Sequence, residues 1–255
     1  MDRKKRIQEL TPYTTSPELE VLWYDTEVNP PKWDDFLVRR AKGEPYAKIM
    51  GHKGFWKGDF KVSPDVLDPR PDSEVLIEAV LKTFPDKNAP LKILDIGTGS
   101  GCLLASLLTE YRGATGVGVD VSEQALQIAK ENLKDLPTTL YQRDFYDPTW
   151  GHNLGRFDII LSNPPYIKTA DLPELDKGTH FDPVLALDGG PDGLNAYRAL
   201  AHSVGALLKA GGALFLEIGQ GQEQDVMTLF QKAGFSLQKI FPDYGGINRI
   251  LFFQK

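Results

Sequence analysis

Leu91-Lys92-Ile93-Leu94-Asp95-Ile96-Gly97-Thr98-Gly99-Ser100-Gly101-Cys102-Leu103 reads as a buried apolar strand, a glycine turn and the start of a helix. Glycines at such a turn let a ligand come close to the backbone at the carboxyl end of a strand. A dinucleotide-binding turn wants G-x-G-x-x-G for a pyrophosphate. Here the glycines run G-x-G-x-G and the third position of that pattern falls on Cys102, which disfavours phosphate binding.

Outward from this segment, apolar helical periods alternate with short apolar runs. The pattern predicts helices over 73–84, 102–111, 123–133, 196–209 and 223–233, and strands over 92–96, 115–119, 139–142, 158–162, 213–217, 237–241 and 249–253. Strands alternating with helices specify an α/β fold with a doubly wound, seven-stranded, mostly parallel sheet. The last two strands are joined through Pro242-Asp243-Tyr244-Gly245-Gly246 without a helix, so they should pair antiparallel. Upstream, Val21-Leu22-Trp23-Tyr24 and Phe36-Leu37-Val38 flank the turn Asn29-Pro30-Pro31, predicting a small head of two short helices over 1–42. Gly51, Gly54 and Gly58 among Phe55, Trp56, Phe60 and Val62 read as a β-hairpin linker over 43–66, leaving 67–255 as the body.

Composition narrows the function classes. The 255 residues are 41% apolar and 25% charged, the balance of a globular protein and not of a disordered or fibrous one. No apolar run approaches the roughly 20 residues of a spanning helix, and the basic N-terminus leads into polar sequence. A cytoplasmic protein without membrane contact is expected. The single cysteine, Cys102, has no partner for a disulfide, and no Cys/His grouping has metal-ligand spacing, so no metal is expected. A net charge of −6 argues against direct nucleic-acid binding. Between residues 39 and 61, however, Arg39, Arg40, Lys42, Lys48, Lys53, Lys57 and Lys61 face only Glu44 and Asp59, which reads as a solvated face or as a docking surface for an acidic partner.

The chemistry collects at strand ends. Asp95 suits an ammonium group, and Asp120, closing Gly118-Val119-Asp120, can grip a ribose diol. With Gly97, Thr98, Gly99, Ser100 and Gly101 between them, these residues fit S-adenosyl-L-methionine; the alternative is a structural turn with Asp120 capping the next helix. Asp144 and Phe145 follow the third strand, where a carboxylate can bond an adenine amine and a ring can pack on the base. The fourth strand runs into Asn163-Pro164-Pro165-Tyr166. An amide nitrogen is a poor nucleophile because its lone pair is delocalised. If the Asn163 side-chain oxygen and the Pro164 carbonyl each accept one hydrogen of a substrate NH₂, that lone pair is aimed at a methyl donor, so Asn163 also borders the cofactor. Two prolines stiffen the backbone that presents the carbonyl, and Tyr166 offers a wall for a flat group. Asn163, Pro164 and Tyr166 are thus the catalytic candidates.

With these motifs in place, the chain resembles the HemK/PrmC family of protein-glutamine N5-methyltransferases over residues 43–255. The resemblance extends to Val66-Leu67-Asp68-Pro69-Arg70-Pro71-Asp72-Ser73-Glu74 and to the stretch from Phe181 to Arg198, which contains Leu187-Asp188-Gly189-Gly190. It implies a Rossmann-like class I methyltransferase domain and S-adenosyl-L-methionine as cofactor. The substrate it implies is the glutamine of the Gly-Gly-Gln motif in peptide chain release factors, with Arg70, Pro71, Asn163, Pro164, Pro165 and Tyr166 as substrate contacts. The chain departs from the family in carrying Asp72-Ser73-Glu74 for Glu-Thr-Glu, Lys48 for a tyrosine and Asp68 for an isoleucine, and in a shorter helical head. A monomer is expected, with the glutamine entering beneath the polar loop 168–179. Adenine-N6 methylation of a flipped base uses the same clamp, and a non-catalytic binding module built on this fold is the alternative outside enzymology.

Overall fold

The computed structural model describes residues 2–255. Its main sheet has seven strands in the order β5-β4-β3-β6-β7-β9-β8, where β3 is Lys92–Ile96, β4 Thr115–Asp120, β5 Thr138–Gln142, β6 Phe157–Ser162, β7 Leu208–Glu217, β8 Ser236–Pro242 and β9 Asn248–Gln254. All pairs from β5 through β7 are parallel, and β9 pairs antiparallel with both β7 and β8. The seven strands and the antiparallel ending match the sequence expectation.

Alternation along each strand builds two cores. Ile93, Ile159, Leu161 and Phe215 face one way, onto α5 (Glu74–Thr83), α6 (Cys102–Glu110) and α7 (Glu123–Asn132). Leu94, Ile96, Ile160, Leu214 and Leu216 face the other way, onto α8 (Asn195–Ser203) and α9 (Glu223–Lys232). A parallel sheet covered on both faces needs strands apolar on both faces, which is why the run Ile93–Ile96 alternates between the two cores. The chain reverses direction across the sheet between β3 and β6. Ligands of open α/β sheets bind in the crevice at such a switch point, outside the carboxyl ends of the strands.

The helix expected over 196–209 stops at Ser203, and β7 begins at Leu208. Val204, Leu207 and Leu208 continue the apolar period because they are buried against Trp150 and Phe157, not because the helix continues. The Phe157 amide donates to the Leu207 carbonyl at 2.8 Å, which claims that carbonyl for the sheet.

The head holds more helix than its apolar groups announce. Besides α2 (Pro17–Thr26) and α3 (Trp33–Ala41), it has α1 (Arg3–Leu10), and α4 (Tyr46–Met50) follows within the expected linker. The charged segment that forms α1 is started by the Asp2 side chain, which accepts from the Lys4 amide. Arg6 of α1 lies 5.2 Å from the ring centres of both Tyr24 and Trp33. Leu10, Val21, Tyr24, Trp33 and Phe36 form the head core, which reaches past residue 42 to include Ile49 of α4. The hairpin is narrower than expected, β1 (His52–Phe55) with β2 (Gly58–Lys61). It docks on the body through Lys61, whose amide donates to Asn132 Oδ1 at 2.9 Å and whose carbonyl accepts from Asn132 Nδ2 at 3.0 Å.

The basic run proves to be mostly paired. Arg39 bonds Glu44, Arg40 meets Glu20 at 2.8 Å, Lys57 bonds Glu110 and Lys61 meets Glu131 at 2.7 Å. Lys48 is buried with Asp68 and Asp182, so it is not a docking residue. Its counter-ions come from segments far along the chain and could not be read from local sequence. Among the described residues no helix is long and apolar enough to cross a membrane.

Candidate functional site

The glycine turn after β3 is held from several sides. The Gly97 and Thr98 amides both donate to the Val119 carbonyl, at 2.9 and 3.0 Å, and the Gly99 amide donates to Asp120 Oδ2 at 2.9 Å. Gly97, Gly99 and Gly101 take φ of +72°, +54° and +78°, values that favour glycine. A Cβ on Gly97 or Gly99 would meet nothing within 4 Å. Their backbone therefore faces open space, as a ligand-cradling turn requires. Gly101 instead packs against α7, since its Cβ would come within 2.9 Å of Leu133.

A cleft opens above this turn, lined by Val66–Arg70, Gly97–Ser100, Asp120, Asp144, Phe145, Asn163, Pro165 and Ala186, among others. A second cavity, lined by Arg70, Pro71, Asp72, Asn163, Tyr166, Thr179, Glu217 and Arg249, adjoins it. Asn163 and Arg70 border both. Asn163 thus stands at the partition and does not point into the core. Pro164 is buried beside it and lines neither cavity, so only its carbonyl is at issue.

The orientation of the Asn163 amide follows from its neighbours. Nδ2 donates to Ser73 Oγ at 3.2 Å, and the Glu217 carboxyl lies beside the same amide. With the NH₂ facing Ser73 and Glu217, Oδ1 is turned away from both. Among the described residues no donor is hydrogen-bonded to Asn163 Oδ1 or to the Pro164 carbonyl.

Asp95 is the turn candidate that the structure removes from the cleft. It is 1% exposed, its Oδ2 accepts from the Thr98 hydroxyl at 2.7 Å, and its Oδ1 has no partner. It braces the turn from below and does not line either cavity. Asp120 both lines the cleft and supports the turn, accepting from the Gly99 and Ser122 amides. Its carboxyl is pushed up from the ordinary range by burial, against which those amides pull it down. Cys102 is buried and its thiol is pushed up to about 12, chiefly by burial, which leaves it unreactive at neutral pH.

Residues outside the sequence candidates hold the motif in place. Gln222 Nε2 donates to the carbonyls of Tyr166 and Gly193 at 3.1 and 3.2 Å. The segment Leu187–Gly190 pairs with Ile167 and Thr169, with Gly189 N donating to Ile167 O at 2.7 Å. A Cβ on Gly189 would lie 2.8 Å from both Tyr166 Cα and the Gly193 carbonyl. Both are backbone atoms that cannot yield cheaply. Gly189→Ala is therefore expected to displace Tyr166 and cut turnover by on the order of 10²-fold with the fold retained, measured as rate against far-ultraviolet circular dichroism. In the sequence the stretch 189–193 stands only as part of the family resemblance, which gives it no packing role against Tyr166. Glu217 and Gln222 read as a strand end and a turn residue, with no signal of their own. The polar loop 168–179 carries a 3₁₀ turn over Thr169–Glu174, and its Leu175, Asp176 and Thr179 roof the second cavity.

Residues 65–175 match the family model described as Methyltransferase small domain. A release factor glutamine methyltransferase of Caulobacter vibrioides is 42% identical over 220 residues, covering 86% of this chain and 76% of the relative. The chain belongs to the release factor glutamine methyltransferase family. Another member, from Agrobacterium fabrum, is 39% identical over 252 residues, covering 96% of this chain and 85% of that one. A third, from Rhodospirillum rubrum, is 44% identical over 218 residues, of whose length the chain spans 66%. A solved methyltransferase from Pyrococcus furiosus shares the fold, with a TM-score of 0.56 at 21% identity over 85% of this chain and 97% of that one.

Two buried carboxyls in this family member give its stability a pH dependence. Asp95 is pushed up to about 7 by burial, opposed by the Thr98 hydroxyl and reinforced by the charge of Asp120. Glu217 is also pushed up to about 7 by burial, opposed by Ser73 and by Arg249. Both folded-state values lie above the unfolded ones, so between about pH 4 and 7 the folded chain keeps protons that the unfolded chain releases. Their contribution to stability is full at low pH, falls as pH rises through 7 and is flat above about 8. The melting temperature of the free protein should drop by several degrees between about pH 5.5 and 8, and less in Asp95→Asn. A melting curve series in matched ionic strength checks this.

Proposed function

We propose that this chain transfers a methyl group from S-adenosyl-L-methionine to the side-chain N5 of the Gly-Gly-Gln glutamine in peptide chain release factors. The observation that carries the reading is Asn163 at the wall between two cavities, with two acceptors free of internal partners. The cleft suits the cofactor: the Gly97 and Gly99 backbone is open to it, Asp120 offers a carboxylate at the end of β4, and Asp144 with Phe145 offers an acceptor beside a ring. When bound, the cofactor supplies a methyl group on a positively charged sulfur.

The protein's part is orientation. Asn163 Oδ1 and the Pro164 carbonyl each take one N–H of the glutamine amide, which turns its nitrogen lone pair toward the cleft. Pro165 and Tyr166 border that nitrogen from either side of the wall, with Arg70 and Pro71 at the rim of the second cavity. Burial pushes the Tyr166 hydroxyl well up, so Tyr166 stays neutral and acts as a wall and a donor, not as a base. No strong base is required, because the amide nitrogen becomes acidic once alkylated. In this reading residues 67–255 are the catalytic domain, 43–66 link it, and the head from 1–42 meets the release factor, with the enzyme acting as a monomer.

Mass spectrometry of release factor incubated with the protein and isotope-labelled cofactor tests the assignment. One methyl on the Gly-Gly-Gln glutamine is expected; label on DNA or RNA and none on that glutamine overturns it.

A further inference from the structure

The segment 179–186 roofs the site: Pro183, Leu185 and Ala186 line the cleft, and Thr179 and Ala186 line the second cavity. Its backbone hydrogen bonds are local. Asp182, Ala186 and Leu187 amides donate to Thr179, Pro183 and Val184 carbonyls at 3.0, 2.9 and 2.9 Å. Among the described residues, the hydrogen bonds and ion pairs that tie 179–186 to distant parts of the chain all pass through one group, the Asp182 carboxylate.

That carboxylate is 2% exposed and has three partners. The Asp68 amide donates to Oδ1 at 3.2 Å, Lys48 Nζ sits 3.0 Å from the same oxygen, and Arg70 bonds Oδ2. Arg70 is 42% exposed on its side chain, whereas the Lys48 side chain is 0% exposed. Lys48 is further fixed by the Ser63 carbonyl, which accepts at 2.8 Å, by the Val66 carbonyl, which also accepts from Nζ, and by an ion pair with Asp68 Oδ1 at 2.9 Å. An exposed cation loses much of its hold to solvent; a buried one with every proton directed does not.

We propose that Lys48 is a positioning residue that holds the 179–186 roof over the site through Asp182. Lys48 lies on α4, among the helices that build the head core, so the roof is fastened to the head and not only to the body. The tether itself follows from geometry, and its effect on cofactor binding rests on the function proposed above.

Two variants test it. Lys48→Met leaves two buried carboxylates with one half-exposed cation and should lower the melting temperature. Lys48→Met with Asp68→Leu restores charge balance, so the melting temperature should recover part of that loss, short of the parent because the buried Val66 carbonyl still lacks its donor. Both variants lack the Lys48–Asp182 contact, however. In both, the amides of Asp182, Ala186 and Leu187 should exchange hydrogen about tenfold faster than in the parent while β3 and β6 are unchanged. In Lys48→Met, calorimetry should show S-adenosyl-L-methionine binding about tenfold weaker, with kcat at saturating cofactor within about twofold of the parent, because Asn163 directly follows β6; Asp68 itself lines the cleft, so the double variant is read by hydrogen exchange and melting alone. Parent-like exchange at those amides in the charge-balanced double variant overturns the proposal and reduces Lys48 to a counter-ion for Asp68. Failure of the parent to bind the cofactor would strike at the proposed function and leave the exchange result standing.

Discussion

Asn163→Ala is expected to lower turnover on the release-factor glutamine by on the order of 10³-fold while leaving cofactor affinity within a few-fold of the parent. The substitution deletes one of two acceptors that the structure leaves without internal donors. With one acceptor remaining, the substrate NH₂ can rotate about its single hydrogen bond, and its lone pair is no longer confined to the direction of the cleft. The loss falls on the chemical step, since Asn163 is one of many residues around the cleft. Ser73→Ala should cost less, about tenfold, because it removes the acceptor that Nδ2 meets at 3.2 Å while Glu217 still opposes the flipped amide. Single-turnover rates beside calorimetric titration separate the two quantities; an Asn163→Ala enzyme with near-parent turnover would remove the clamp from the mechanism.

Asp120→Ala should behave in the opposite way, weakening cofactor binding by about 10²-fold with most of the turnover recovered at saturation. Its carboxylate faces the cleft and also receives the Gly99 and Ser122 amides at 2.9 and 3.0 Å. Alanine withdraws both the charged acceptor offered to the ligand and the brace that sets Gly99. Asp120→Asn keeps the shape but not the charge and should fall between. Titration of both variants decides this; unchanged affinity in Asp120→Ala would leave the carboxylate as a turn brace only.

The parts of the site visible in the sequence are those whose chemistry is local. A glycine turn after a strand and Asn163-Pro164-Pro165-Tyr166 after another carry their geometry in a few consecutive residues, and β3 and β6, neighbours in the sheet, bring them together. What was hidden depends on long-range pairing. Lys48 looked like part of a basic face because Asp182 lies far along the chain. Burial of Leu207 and Leu208 mimics a helical period, which carries the expected helix to 209 although it ends at Ser203. Strand alternation does not say whether a turn folds over the last residues of a strand, so Asp95 looks ligand-facing in the sequence; Thr98 covers it. Glu217 and Gln222 carry no local signal, since each acts on the backbone or side chain of a residue contributed by another loop.

The pairing of Arg39, Arg40, Lys57 and Lys61 with acidic neighbours has a consequence for how a protein substrate arrives. Cations already neutralised at short range project little field beyond the surface, so these four residues of the head and hairpin offer weak long-range steering. Encounter with a partner then rests on shape and apolar contact. Its rate should change only slightly when sodium chloride is raised across the range where Debye screening shortens from about 30 to 8 Å.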